Sequence, residues 1–150
     1  MTKMPIPTEH EEQAKFFSEV GYLYRLRSDY IPELHFAVVN GFWAAGDNKT
    51  REGKARKYGL LNKYRAEGMK KGIADTQYQQ PRGPHPFCVI EFKRSNKRGE
   101  TNGGLEPEQI TYLNAARRMG AYVCVCYSCD EALLAFADYM ALEPHSDLEE

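Results

Sequence analysis

"FCVIEFK", residues 87–93, decides the architecture. Phe87, Cys88, Val89 and Ile90 form an unbroken apolar run, the pattern of a strand covered on both faces. The run then ends in Glu91-Phe92-Lys93. Side chains alternate along a strand, so Glu91 and Lys93 share one face, roughly 6.6 Å apart, while Phe92 points to the other. Taken alone, the pair reads as an ion pair at the end of a strand. A strand apolar on both faces needs a helical layer on each side of its sheet.

The flanking segments supply that frame. Upstream, "QQPRGPHP" (79–86) is a Pro/Gly loop and "GIADTQY" (72–78) a short strand, so the two strands form a hairpin with Asp75 beside Glu91. Downstream, "RSNKRGETNGG" (94–104) reads as a mobile polar loop. Pro107 suits the first turn of a helix over 107–120 that Gly120 ends. "AYVCVCY" (121–127) reads as a strand and "DEALLAFADYM" (130–140) as a helix. Near the start, Thr8 and Glu11 form a capping box for a helix over 9–26 anchored by Phe16, Phe17, Val20 and Leu23. Pro32 breaks the chain, and "LHFAVVNG" (34–41) reads as a strand closed by the turn Asn40-Gly41. A helix over 51–68 is expected to fray around Gly53 and Gly59. The order α-β-α-β-β-α-β-α predicts an α/β sandwich: a central mixed β-sheet flanked by helices. Residues 1–143 form one domain, and the acidic stretch 144–150 is expected to be disordered.

The bulk numbers agree with one globular domain. The chain has 150 residues, 42% hydrophobic and 27% charged, which excludes a disordered chain. It shows no signal peptide and no apolar run long enough to cross a bilayer, so a cytoplasmic protein with no membrane partner is expected. Cys124, Cys126 and Cys129 in "YVCVCYSC" are thiols of zinc-binding type, but no paired knuckle and no nearby His accompany them. Buried, reduced cysteines are the expectation for all four, Cys88 included. The net charge of −1 hides an uneven distribution. Residues 49–71 hold nine Lys/Arg against two Glu, while 130–150 hold seven Asp/Glu and no Lys or Arg. A basic segment beside carboxylates suits a polyanionic substrate, and it is also what a solvated helix face looks like.

Two neighbouring carboxylates, Asp75 and Glu91, are the oxygen ligands that Mg²⁺ favours. The backbone carbonyl of Phe92 is a further ligand candidate. Lys93 then stands where it would orient an attacking water or offset charge on a phosphate.

This layout resembles the PD-(D/E)xK nuclease superfamily, and the chain from about Thr8 to Met140 looks like the VRR-NUC (virus-type replication and repair nuclease) family. Five ordered pieces carry the likeness: "TEHEEQ" (8–13), "ELHFAVVNG" (33–41), "YRAEGMKKGIAD" (64–75), "VIEFK" (89–93) and "LEPEQ" (105–109). Two positions depart from the family pattern. Ala74 precedes the aspartate where Pro is usual, and Glu106 stands where a Ser or Thr N-cap is usual.

The resemblance implies a restriction-endonuclease-like sandwich and a Mg²⁺- or Mn²⁺-dependent endodeoxyribonuclease leaving 5′-phosphate and 3′-hydroxyl ends. It implies Asp75, Glu91 and Lys93 as the catalytic trio, with Glu9 and Gln109 completing the site. Glu12 rivals Glu9, and Gln13 reads as structural. His10, His35, His85 and His145 match no His-metal nuclease spacing. Lys54, Arg56, Lys57, Lys63, Lys70, Lys71 and Arg94 are the expected DNA contacts. Branched DNA, with four-way junctions foremost, is the implied substrate of a homodimer in a bacterial or phage-infected cytoplasm. Phe42 and Trp43 are candidates for base stacking, or for the dimer contact as part of "FWAAG" (42–46). The alternatives are a monomeric flap or branch nuclease, and a non-catalytic nucleic-acid-binding module on the same fold. A restriction enzyme of this fold would need an inserted recognition segment that 150 residues hardly accommodate.

Overall fold

A computed structural model describes residues 4–39 and 49–145. The turn Asn40-Gly41, the "FWAAG" segment and residues 146–150 lie outside the described residues. Eight principal elements follow the predicted order: α1 (Glu9–Leu23), β1 (His35–Ala37), α2 (Arg51–Ala66), β2 (Thr76–Tyr78), β3 (Cys88–Phe92), α3 (Pro107–Arg118), β4 (Tyr122–Cys126) and α4 (Cys129–Met140). The strands form one mixed sheet in the order β1-β2-β3-β4. β1 and β2 pair antiparallel, as do β2 and β3, while β3 and β4 run parallel across the α3 crossover.

Strand β3 is buried at all five positions, because both of its faces are covered. Cys88, Ile90 and Phe92 join Phe16 and Val20 of α1 and Phe136 and Tyr139 of α4 in the larger core. Val89 faces the other way, with Ala74, Leu113 of α3 and Val123 and Val125 of β4. Alternation therefore sends Glu91 to the α3 side, the same side as Val89. The register Thr76↔Ile90 sets Asp75 next to Glu91.

The capping box forms as predicted: Glu11 N–H donates to Thr8 Oγ1 (3.2 Å) and Thr8 N–H to the Glu11 carboxylate (2.7 Å). Three expectations need correction. Helix α2 runs unbroken through Gly53 and Gly59, started by Thr50, whose Oγ1 accepts from Gly53 N–H at 2.9 Å. The two glycines each cost the helix about 1 kcal/mol, too little to interrupt it. Residues 94–104 are not a loose loop. They form a 3₁₀ turn, Ser95–Lys97, and a second turn, Thr101–Gly104, in which Asn102 and Gly103 take positive φ and which is pinned by Tyr127 Oη–H donating to Gly103 O (2.8 Å). The segment after residue 143 begins ordered, since His145 N–H donates to Pro81 O at 3.2 Å and Pro144 bridges to Arg82.

The hairpin loop is held by a residue without an obvious sequence signal. Arg82 is fully buried. Its guanidinium donates to Gln80 Oε1, to the carbonyls of Met140 and Leu142, and to both the carbonyl and the carboxylate of Asp29, at 2.6–3.0 Å. This ties the loop to the segment that follows α1 and to the end of α4. The cysteines are buried or half-buried free thiols, and burial pushes Cys126 up to about 12, so they stay protonated. Among the described residues, no helix is long and apolar enough to cross a membrane.

His35 is a core residue. It stacks on Phe136 (4.7 Å between centroids, 7° between planes) and meets Tyr30 Oη at 3.1 Å. Burial pushes its pKa down to about 4 from an ordinary 6.5. As pH falls below 6.5, the unfolded chain takes up a proton that the folded chain refuses until about pH 4. Stability contributed by neutral His35 is therefore lost across that window, by roughly 2 kcal/mol between pH 7 and pH 5. His35→Phe should remove this part of the pH dependence, read as a smaller difference between urea midpoints at pH 7 and pH 5; an unchanged difference refutes it.

Candidate active site

The site lies at the open end of the β2–β3 hairpin. Glu91 is 1% exposed. Two donors reach its carboxylate from different elements: Asp75 N–H at 3.2 Å to Oε2 and Gln109 Nε2–H at 2.5 Å to Oε1. Lys93 Nζ stands 3.5 Å from the same Oε1. The Asp75 carboxylate accepts from Phe92 N–H at 2.8 Å, so it lies against the peptide that follows Glu91. Four of the predicted residues, Asp75, Glu91, Lys93 and Gln109, are thus gathered within hydrogen-bond or ion-pair reach of one another. Gln109 differs from expectation in detail. Its amide is spent on orienting Glu91 and on accepting from Glu106 N–H (2.9 Å), not on a water. Glu106 starts α3 within a reciprocal box with Gln109, so the departure from Ser or Thr does not cost the helix its start.

Burial, then the neighbouring Asp75 carboxylate, push Glu91 up from 4.5 to about 8, and Lys93 only partly opposes them. Asp75 and Glu91 are neighbouring carboxylates, the oxygen ligands that Mg²⁺ or Mn²⁺ takes. These residues fit a hard divalent cation, which would supply what burial withdraws.

Among the described residues, no group of three or more His, Cys, Asp or Glu side chains is placed to hold a metal ion. The α1 acids divide their work: Glu11 caps the helix, and Glu12 accepts from Cys129 N–H at 2.6 Å, tying α1 to the start of α4. Glu9 is half-buried and not engaged in either role. For the same reason Cys124, Cys126 and Cys129 form no zinc cluster among the described residues.

The basic residues fall into three places. Lys54, Arg56, Lys57 and Lys63 lie on α2, a helix with no buried residue. Lys70 and Lys71 are exposed on the segment leading to Asp75, beside the first turn of α3. Arg94 is half-buried, and its Nη2 donates to Ile6 O at 3.0 Å, so it holds the N-terminal segment. His85 and His145 bond to backbone carbonyls of Gly120 and Gly83. Sequence reasoning missed Gly72, whose role depends on the approach of α3 to the hairpin.

The chain is similar to a solved structure named "VRR_NUC domain protein", with a TM-score of 0.67 over 93% of each chain and 16% identity. That likeness establishes the fold, a mixed four-stranded sheet flanked by helices as in a VRR_NUC nuclease domain. No family model matches the sequence. No curated protein matches it either.

The raised Glu91 pKa has a stability consequence. The folded state holds its proton up to about pH 8, whereas the unfolded chain loses it near 4.5. The associated stability is complete below 4.5 and is lost as pH rises through 8. Glu91→Gln should escape that loss, so its urea midpoint should gain on the wild type between pH 4.5 and pH 8.5. Parallel curves would mean that Glu91 ionises as an ordinary carboxyl.

Proposed function

We propose that this protein is a metal-dependent endodeoxyribonuclease. The observation that carries the reading is the buried Glu91 carboxylate, held by Asp75 N–H and Gln109 with Lys93 beside it and the Asp75 carboxylate adjacent. Structural carboxylates at a strand end are normally solvated; this one is sequestered beside a second acid. The VRR_NUC-like fold favours a nuclease, by analogy of fold.

Asp75, Glu91 and the Phe92 carbonyl would hold Mg²⁺ or Mn²⁺. The bound cation would supply Lewis acidity toward a phosphodiester and make an attacking water more acidic. Lys93 Nζ, kept in place by Glu91, donates toward the water or the phosphate oxygens that gain charge. Gln109 fixes the Glu91 carboxylate, and Glu9 completes the site. Lys70 and Lys71, beside α3, and Lys54, Arg56, Lys57 and Lys63 on α2 engage phosphates without reading bases; Arg94 contributes as a neighbour of Lys93. Four-way junctions are the proposed preferred substrate. A C2 homodimer would bring two trios to two symmetric strands, and the reduced thiols suit a cytoplasmic setting. A monomeric flap nuclease is the competing form of this activity.

Labelled duplex, flap and four-way junction, with and without Mg²⁺, test the activity and its substrate. Asp75→Ala, Glu91→Ala and Lys93→Ala should each abolish cutting while leaving DNA binding, and the triple variant should be little worse than any single one. Wild-type cutting by Asp75→Ala would refute the site. A cruciform plasmid should be linearised by the dimer, whereas nicked circles alone favour a monomer.

Phosphate neutralisation by the lysines makes affinity salt-dependent. In the variant Lys70→Ala/Lys71→Ala, the slope of log affinity against log salt should flatten by about 0.7–0.9 for each phosphate no longer neutralised. An unchanged slope removes those two lysines from the interface.

A further inference from the structure

Gly72 lies three residues before Asp75 with φ of +77°, a backbone conformation that side chains disfavour. Its neighbours make it unusual. A Cβ built there would stand 2.4 Å from the Glu108 carbonyl carbon, 2.6 Å from Glu108 O and 2.7 Å from Gln109 N. All three are backbone atoms in the first turn of α3, so no side-chain rotation can relieve the collision. The chain therefore passes in direct contact over the peptide between Glu108 and Gln109.

That peptide carries the site. Gln109 donates to one oxygen of Glu91 at 2.5 Å, and Asp75 N–H donates to the other at 3.2 Å. The strand bearing Asp75 and the helix bearing Gln109 hold the same carboxylate from two sides, and Gly72 is where strand and helix touch. We infer that Gly72 is a positioning residue: the absence of its side chain sets the gap between the Asp75 segment and α3, and with it the orientation of the Glu91 carboxylate. This inference rests on the nuclease reading for its effect on rate, but not for its effect on geometry.

A methyl group at position 72 must gain about 1 Å to reach ordinary contact, from 2.4 to 3.4 Å. A misplacement of about 1 Å at a reacting centre can lower a rate by roughly 10²-fold. Gly68 provides the control. It also has positive φ, +99°, but nothing lies within 4 Å of a Cβ built there. Gly68→Ala takes the backbone strain without the collision.

Both variants should lose a few degrees of thermal stability. Gly72→Ala should lower kcat by about 10²-fold with little change in KM, whereas Gly68→Ala should keep the wild-type kcat. Introduced into Gln109→Ala, Gly72→Ala should add little further loss. A readout without DNA or metal separates geometry from activity. The Gln109 side-chain amide protons should be protected from exchange in the wild type and in Gly68→Ala, and released in Gly72→Ala. Equal kcat losses in the two glycine variants, or full activity in Gly72→Ala, overturn the inference. So does a Gln109 amide that remains protected in Gly72→Ala. Should Gly72→Ala fail to fold, the wild-type amide decides, because rapid exchange there shows that the close approach does not fix Gln109. A wild type that cuts no DNA with Mg²⁺ or Mn²⁺ sinks the nuclease reading alone, and the exchange measurement still judges the positioning role.

Discussion

Burying one carboxylate constrains much of this molecule. β3 has no solvent-facing side, so Glu91 can be satisfied only by groups the protein supplies. A buried carboxylate left without partners costs several kcal/mol. Its partners arrive from three places: the backbone entering β2, the first turn of α3, and the strand's own continuation at Lys93. A slip of one residue in the hairpin would turn Glu91's neighbours to the other face and set the carboxylate against Phe16 and Phe136. The register of β2 on β3 and the docking of α3 are thus both conditions for tolerating this one charge.

Those partners satisfy geometry better than they satisfy charge. Hydrogen bonds from Asp75 N–H and Gln109 lower the cost of the anion, yet burial and the second carboxylate outweigh them and leave the pKa high. A pair of neighbouring acids at a buried strand end is the kind of local conflict that a fold otherwise avoids.

What could be read in the sequence was what short-range patterning encodes. The apolar run at 87–90, the Pro/Gly loop before it and the Thr8–Glu11 box each specify local backbone, and the elements follow. The strand period alone placed Glu91 and Lys93 on one face. What could not be read depends on distant partners. Nothing around Arg82 announces that its guanidinium will be enclosed by Asp29, Met140 and Leu142, which lie up to 60 residues away. The 94–104 stretch looked mobile because its glycines and polar residues match loop composition, but Tyr127 pins it from beyond α3. Helix spacing likewise ranks the acids of α1, but only the position of α4 shows that Glu12 is taken.

The β2–β3 hairpin joins two opposite electrostatic solutions. At its closed end Arg82 is enclosed by acceptors, and the Arg27 and Arg82 guanidiniums hold the Asp29 carboxyl well below the usual carboxylate range. That anchor keeps its charges throughout the neutral range, because Asp29 protonates only in strong acid. At the open end Glu91 is buried beside the Asp75 carboxylate with Lys93 3.5 Å away, and burial and that second acid raise its pKa. One hairpin thus carries a buried arginine met by acceptors at one end and a buried acid beside a second acid at the other, so its two ends are satisfied by groups from different parts of the fold.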